Sequence, residues 1–275
     1  MYVYKLIPHS SSQAHGGPAI ERPKEKATST RPGRYVVGRI EPHASSGRWL
    51  MSVVPWGTPI KLDKNRNLTV LLNGKWVLLN TLPGWKEQYP NSPEMATALY
   101  VQEYRKMMGF LQNTKYGLKN QSDMPAPWNG PFPTFWNMND FGRVTVKYFK
   151  DTNGNRKLDG KEALLSDFIH TTPYDEMETI LSKTIKPAYP MTLGESHGCI
   201  HMVPAVLQEW IAKKILAVGS TLEVHPYSDK KVLASFERTT GRVGKEVHFY
   251  PHAEKIVLYE VSVKQLGQPL HAPHE

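Results

Sequence analysis

The residues best suited to chemistry in this chain are Ser196-His197-Gly198-Cys199-Ile200-His201-Met202, which include its only cysteine, set between two histidines and next to a glycine. A thiol becomes a strong nucleophile only as thiolate, and from a resting pKa of about 8.5 it needs an imidazole, a cation or a helix N-terminus nearby. The stretch offers imidazoles on both sides. Val203, Val206, Leu207, Trp210, Ile211 and Ile215 then recur at helical spacing, with Pro204 suited to a first helical position and Gly219 to the stop. The cysteine is therefore expected just ahead of a helix start, where backbone N–H groups favour negative charge. Gly198 lets the chain turn tightly and brings bare backbone close to whatever the sulfur attacks.

Three readings of this stretch are open from residue types. A single cysteine is often just a small buried apolar side chain. His197, Cys199 and His201 are also donors that zinc accepts, and on an extended segment they point one way, although no second cysteine cluster closes such a site. The third reading is a cysteine acyl-transfer site, which needs a general base from elsewhere in the fold. Leu164-Leu165-Ser166-Asp167-Phe168-Ile169-His170-Thr171-Thr172-Pro173 reads as a strand running into a turn, with His170 at its end, where side chains tend to face a cleft. Alone, His170 would read as structural. Beside the cysteine motif it reads as the base.

Phe168-Ile169-His170-Thr171-Thr172 followed by the Ser-His-Gly-Cys core resembles the signature of the L,D-transpeptidase (YkuD-type) catalytic-domain family, over about residues 165 to 202. The resemblance implies a mainly β catalytic fold, a β-sandwich or barrel-like structure with a few helices, and a cysteine acyltransferase acting on peptidoglycan stem peptides without a required cofactor. Cys199 would attack the carbonyl of the third stem residue, D-alanine would leave, and the acyl-enzyme would pass to an amine. His170 would take the thiol proton and return it to the leaving amine. The N–H groups of Cys199 and Gly198 would stabilise the oxyanion, by analogy with other acyl-transfer sites. His197 would support the site, with Ser196 and His201 at substrate-binding positions. Two departures stand out: Ser196 follows His170 by 26 positions, longer than the family's usual gap, and His201 stands where the family usually carries arginine or asparagine. Hydrolysis of the same acyl-enzyme would make an L,D-carboxypeptidase. A wall- or metal-binding module with an inactive site, and a wall-attacking effector delivered by a secretion machine, are the other readings. All place the protein in the periplasm, in the cell envelope or outside the cell.

The formal charge of +9 over 275 residues suits an anionic partner, such as nucleic acid, lipid headgroups or cell-wall polymer. No zinc-finger spacing or long basic helix supports nucleic acid, and no apolar run nears the length of a membrane span. The apolar start Met1-Tyr2-Val3-Tyr4-Lys5-Leu6-Ile7-Pro8 is too short and broken for a secretory signal, so the expectation is export by another route or a signal outside this chain. Residues 1 to 34 read as a flexible basic arm, 35 to 263 as the catalytic domain and 264 to 275 as a tail.

Within the domain, Arg34 to Ile40, Trp49 to Val54, Leu68 to Leu72 and Lys75 to Leu79 read as strands, the last two joined by an Asn73-Gly74 hairpin turn. Ser92-Pro93-Glu94 opens a helix over about 93 to 111. Residues 119 to 142 form a patternless loop rich in aromatic residues, including Trp128 and Trp136, which either packs on the barrel end or forms a wall of the substrate cleft. Asp151 to Glu162 resembles an EF-hand calcium loop. Asp151, Asn153, Asn155, Asp159 and Glu162 supply oxygens at the required spacing, and Lys157 could add its carbonyl, making a structural Ca2+ one expectation. Arg156 stands where that loop normally has glycine, and the plain alternative is a strand-to-strand loop of Asn-Gly and Asp-Gly turns. Thr221 to His225, Val247 to Phe249 and Lys255 to Val263 look like further strands, while His248, His252, His271 and His274 read as ordinary polar residues.

Overall fold

The computed structural model describes residues 1–46, 49–112, 130–187 and 189–264. In chain order the strands are β1 (Tyr2–Leu6), β2 (Ser12–His15), β3 (Gly33–Glu41), β4 (Ile60–Leu62), β5 (Leu68–Leu72), β6 (Lys75–Leu78), β7 (Thr145–Phe149), β8 (Leu164–His170), β9 (Ile200–Met202), β10 (Thr221–Val224), β11 (Ser235–Arg238), β12 (Gly244–Tyr250) and β13 (Lys255–Val263). The helices are α1 (Trp85–Gln88), α2 (Pro93–Phe110), α3 (Pro173–Leu181) and α4 (Pro204–Ala212). Among the described residues no helix is long and apolar enough to cross a membrane.

The chain is mainly β, as its alternating runs require. Eight strands close a barrel in the order β13-β12-β10-β3-β7-β8-β9-β2, with β2 pairing back onto β13. Closure is possible because β13 divides one edge: Lys255 and Ile256 pair with β2, and Tyr259 to Val263 pair with β1. β1 and β11 thus extend the sheet outside the ring. Alternation sends Val37, Tyr148, Ile169, Ile200, Met202, Leu222, Val224, Val247, Phe249, Ile256 and Leu258 into one barrel core. Leu207 and Trp210 of α4 pack into that core. α4 ends at Ala212 instead of running to Gly219, and Lys214 beyond it takes a left-handed φ of 56°.

Residues 1 to 34 are not a loose arm. They supply β2, one of the eight barrel strands, and β1, which extends the sheet, and Tyr4, Ala14 and Thr30 are fully buried. The polar composition misleads because short strands need few apolar residues when their partners supply the rest. Tyr4 stacks on Phe236 at 4.6 Å and meets Tyr259 edge-on, forming a third core on the outside of the ring with Tyr250, Val257 and Val261.

A second core lies between α3 and the insertion that follows β3. The small sheet β4-β5-β6 turns at Asn73 and Gly74, both at positive φ, as the hairpin signal requires. α2 lays Ala96, Tyr100, Met107 and Met108 against it, together with Met177 of α3. Trp49 to Val54, expected as a strand, holds a 3-10 turn over Leu50–Val53. Its carbonyls of Leu50 and Met51 accept the indole N–H groups of Trp85 and Trp136 at 2.8 and 2.9 Å, and a ladder would leave those carbonyls no such partners.

Because Tyr4 is fully enclosed, Tyr4→Ala should lower the unfolding free energy by about 3 kcal/mol in a denaturant titration. A change of a few tenths would mean that the segment does behave as an arm.

Candidate active site

The strand β8 stops at His170 because the next residues start a helix. Pro173 takes the first position of α3, and the Thr172 side chain caps it by accepting the Asp175 N–H at 3.2 Å. Thr171 is tied in turn to Glu176, whose Oε1 accepts its hydroxyl at 2.8 Å. β8 then pairs in parallel with β9, Ile169 opposite Ile200 and His170 opposite His201. Ile169, Ile200 and Phe168 belong to the barrel core and Cys199 packs against it, while alternation turns His170 and His201 to the other face together. The histidine and the cysteine, 29 positions apart in sequence, are brought to one end of the β8–β9 pair, with Cys199 immediately ahead of β9.

The motif turn is held from the N-terminal side. Ala14 and His15 of β2 pair with Met202 and His201, and the Ser196 N–H donates to the Gly16 carbonyl at 3.0 Å. Thr28 donates its hydroxyl to the His197 carbonyl at 2.9 Å, and Thr30 donates to the Cys199 carbonyl at 3.4 Å. Arg22 forms an ion pair with Glu195, and Arg31 reaches Asp167 at 3.4 Å. Gly198 sits at φ 128°, and a Cβ there would lie 2.6 Å from Thr28 Oγ1, so the motif glycine is required by both its conformation and the close approach of the N-terminal segment.

Inside the turn, buried Ser196 donates to the Cys199 carbonyl at 2.5 Å and accepts the Gly198 N–H at 3.1 Å. Ser196 therefore shapes the turn and is not turned toward a substrate. The Gly198 amide, read from sequence as an oxyanion donor, is occupied in the resting state.

His170 is buried, and its Nδ1 lies 2.7 Å from the Thr171 carbonyl. A carbonyl only accepts, so Nδ1 carries the proton and Nε2 keeps the lone pair. Burial foremost, and then the neighbouring His201, press its pKa down to about 3, which keeps the ring neutral. His201 meets it edge-on at 4.7 Å and is itself fixed by Nδ1 against the Gly194 carbonyl at 2.7 Å. It orients the His170 ring more directly than it faces a ligand. Phe141 and Phe168 wall the same ring at 5.2 and 5.3 Å, and His43 stacks on Phe168. Sequence reading missed Phe141 and His43, because neither shares a motif or an element with His170.

Cys199 keeps some solvent contact, but crowding around the sulfur pushes its pKa up to about 12; a hydrogen bond with the Phe168 backbone pulls the other way, and the Asp167 charge adds to the rise. The expected helix-start effect is weak here because β9 intervenes, putting about 10 Å of extended chain between the sulfur and α4. The resting pair is a neutral thiol and a neutral imidazole.

The remaining sequence candidates separate clearly. His197 is exposed, its carbonyl held by Thr28. Trp136 is fully buried and packs on Tyr100 and Trp85, so it fills the second core and is no cleft wall. Trp128 and residues 119–129 of the proposed loop lie outside the described residues, as do His271 and His274. The loop from Asp151 to Glu162 closes on its own backbone: Asp151 accepts from the Gly154 and Arg156 amides, Asn153 from Asn155, Asn155 from Lys157, and Glu162 from Thr152. The side-chain amides of Asn153 and Asn155 donate to Asp159. Arg156 adopts the left-handed φ of 62° that a glycine would take at that position.

Among the described residues the one group of three or more histidine, cysteine or acidic side chains with ligand atoms within 4.8 Å of one another is Glu223, His225 and His248. His197, Cys199 and His201 do not gather so. Two open depressions of about 390 and 480 Å3 share Arg156 and Arg242 on their walls, and neither is lined by Cys199 or His170. Compared with protein-family models, with curated proteins and with solved structures, the chain matches none of them.

Two measurements follow from the protonation states. Alkylation of Cys199 by iodoacetamide should be slow at pH 7 and still rising at pH 10, whereas a plateau near neutrality would reveal a standing thiolate. For His170 the folded pKa is below the unfolded one, so the unfolded chain binds the proton first as pH falls. The fold then loses stability progressively from about pH 6.5 toward about 3. His170→Gln should remove on the order of 2 kcal/mol of the difference between denaturation at pH 7 and at pH 4.5.

Proposed function

We propose that this chain is a cysteine acyltransferase of the L,D-transpeptidase type, acting on peptidoglycan stem peptides in the periplasm or cell envelope. The observation that carries the reading is the short β8–β9 pairing, which brings His170 and Cys199 to one end of the two strands. There His170 presents a proton-free Nε2, its ring fixed by Thr171, two positions in register from the only thiol of the chain. The mainly β barrel is the kind of fold the motif implies, and a net charge of +9 suits a wall polymer.

A thiol near 12 and an imidazole near 3 cannot exchange a proton before substrate arrives. Attack and proton transfer therefore go together. Rotation of the Cys199 side chain exchanges the Phe168 backbone for His170 Nε2, the sulfur adds to the carbonyl carbon of the third stem residue, and Nε2 takes the proton. The imidazolium returns that proton to the departing D-alanine nitrogen as the C–N bond breaks, leaving a thioester on Cys199. An amine of a second stem then attacks the thioester, His170 accepts its proton, and the C–S bond breaks as that proton returns to the Cys199 sulfur. Of the two amides read as oxyanion donors, that of Cys199 serves without disturbing the Ser196 turn. The reaction needs no cofactor.

Incubating the protein with tetrapeptide-stem muropeptides should produce a covalent adduct that maps to Cys199 by peptide mass spectrometry and is missing from Cys199→Ser. Cys199→Ala and His170→Ala should each remove nearly all turnover, the double variant being no worse than either single one. Added acceptor stem should divert product from tripeptide to cross-linked dimer. Tripeptide formed whatever acceptor is supplied would make the enzyme an L,D-carboxypeptidase. Well-folded protein forming no adduct would leave a wall-binding module.

A further inference from the structure

The outer face of β10 and β12 carries ionisable side chains that the proposed reaction does not use. Leu222, Val224, Val247 and Phe249 point into the barrel, so Glu223, Glu246 and His248 point out, and His225 joins them just past β10. The parallel register sets Glu223 directly beside His248. Despite facing outward these groups are enclosed: the side chains of His248, Glu246 and His225 are 0%, 2% and 6% exposed. Tyr4, Tyr259 and Phe236 cover them.

Counting protons along the cluster exposes a deficit. His225 Nδ1 lies 2.9 Å from Asp229 Oδ2, His225 Nε2 lies 2.9 Å from His248 Nδ1, and His248 Nε2 lies 3.6 Å from Glu246 Oε2. Carboxylates only accept, so His225 places its one proton on Nδ1, facing Asp229, and its Nε2 can only accept. His248 then either donates to it from Nδ1, leaving its buried Nε2 as a lone pair facing Glu246 Oε2, or keeps its proton on Nε2 and turns a second lone pair toward His225, and in both cases a cation would relieve the lone pairs left facing. A carboxylate oxygen of Glu223 comes within 4.8 Å of a nitrogen of each ring. Arg34 and Arg238 both bind the same Glu223 oxygen, Oε2, and so turn Oε1 toward other partners.

We propose that Glu223, His225 and His248 form a structural site for a divalent transition-metal ion of the zinc class. One carboxylate and two imidazoles are ligands zinc accepts, with water in the fourth position. Asp229 and Glu246 supply the carboxylate behind each histidine that orients metal-binding imidazoles and fixes their tautomer. Around a tetrahedral ion two ligand nitrogens stand about 3.3 Å apart, given zinc–nitrogen bonds of 2.0–2.1 Å. Spreading the rings from 2.9 Å moves His248 toward Glu246. It thereby gives partners to two buried atoms that have none, His248 Nε2 and Glu246 Oε2. Three carboxylates against the guanidiniums of Arg34 and Arg238 leave a negative charge for the ion to offset. A single shared proton is the other cation that would relieve the lone pairs.

The full chain, stripped with chelator, should take up one Zn2+ by calorimetric titration, and Co2+ should give the visible absorption of a four-coordinate site. Its Tm should rise with added Zn2+. His225→Gln and His248→Gln should each abolish uptake, and Asp229→Asn, at the cluster's solvent edge, should weaken it about 10–100-fold without unfolding the chain. Cys199→Ser should bind as wild type does. The site is overturned by wild type that takes up no ion, which leaves the shared proton, by uptake surviving both histidine variants, or by uptake lost in Cys199→Ser. The last result would move the metal to the cysteine motif and overturn the nucleophile as well, whereas failure of the first kind leaves the acyltransferase reading untouched.

Discussion

Everything at the candidate active site depends on a parallel pairing only two residues long, Ile169 with Ile200 and His170 with His201. It fixes which face carries chemistry, since a slip by one residue would turn His201 into the barrel and bring Ile200 out. So short a ladder cannot hold its own register. β9 has three residues and is kept in place by burial of Ile200 and Met202 in the barrel core and by β2 on its other edge. The N-terminal segment is in this sense part of the site: it supplies the strand, the threonine hydroxyls and the cations that close around Ser196 to Cys199.

The same enclosure sets the electrostatics. Removing water from both partners raises the thiol and lowers the imidazole, opposite shifts with one cause, because burial disfavours whichever form is charged. The site therefore rests uncharged, and in the proposed reaction the thiol would become nucleophilic only as charge passes to substrate. Thr171, itself tied to Glu176 on α3, fixes the His170 tautomer at the end of its strand.

The barrel's two faces have different work. Its interior is apolar except near its ends, and its exterior carries two enclosed polar groups on different strand pairs, β8–β9 and β10–β12. Closing the ring allows this, because a closed sheet leaves no edge to satisfy and its outer face can be covered locally by the insertion on one side and by β1 and β11 on another.

The cysteine motif, the strand ending in His170 and the Asn73-Gly74 hairpin were legible in the sequence because each depends on residue types within a few positions of one another. So was the helix beginning at Pro93, whose first-position proline and spacing are local, although the Ser92 side chain makes no capping hydrogen bond. The burial of residues 1 to 34, the core position of Trp136 and the gathering of Glu223, His225 and His248 were not. Each arises from partners far apart in the chain: Tyr4 needs Phe236, Trp136 needs Met51 and Tyr100, and His225 needs His248. Even the thiol's protonation belongs to this second group. Neighbouring histidines suggested a lowered pKa, yet the solvent that the folded chain removes from around the sulfur has the larger effect, and only the tertiary structure decides how much solvent that is.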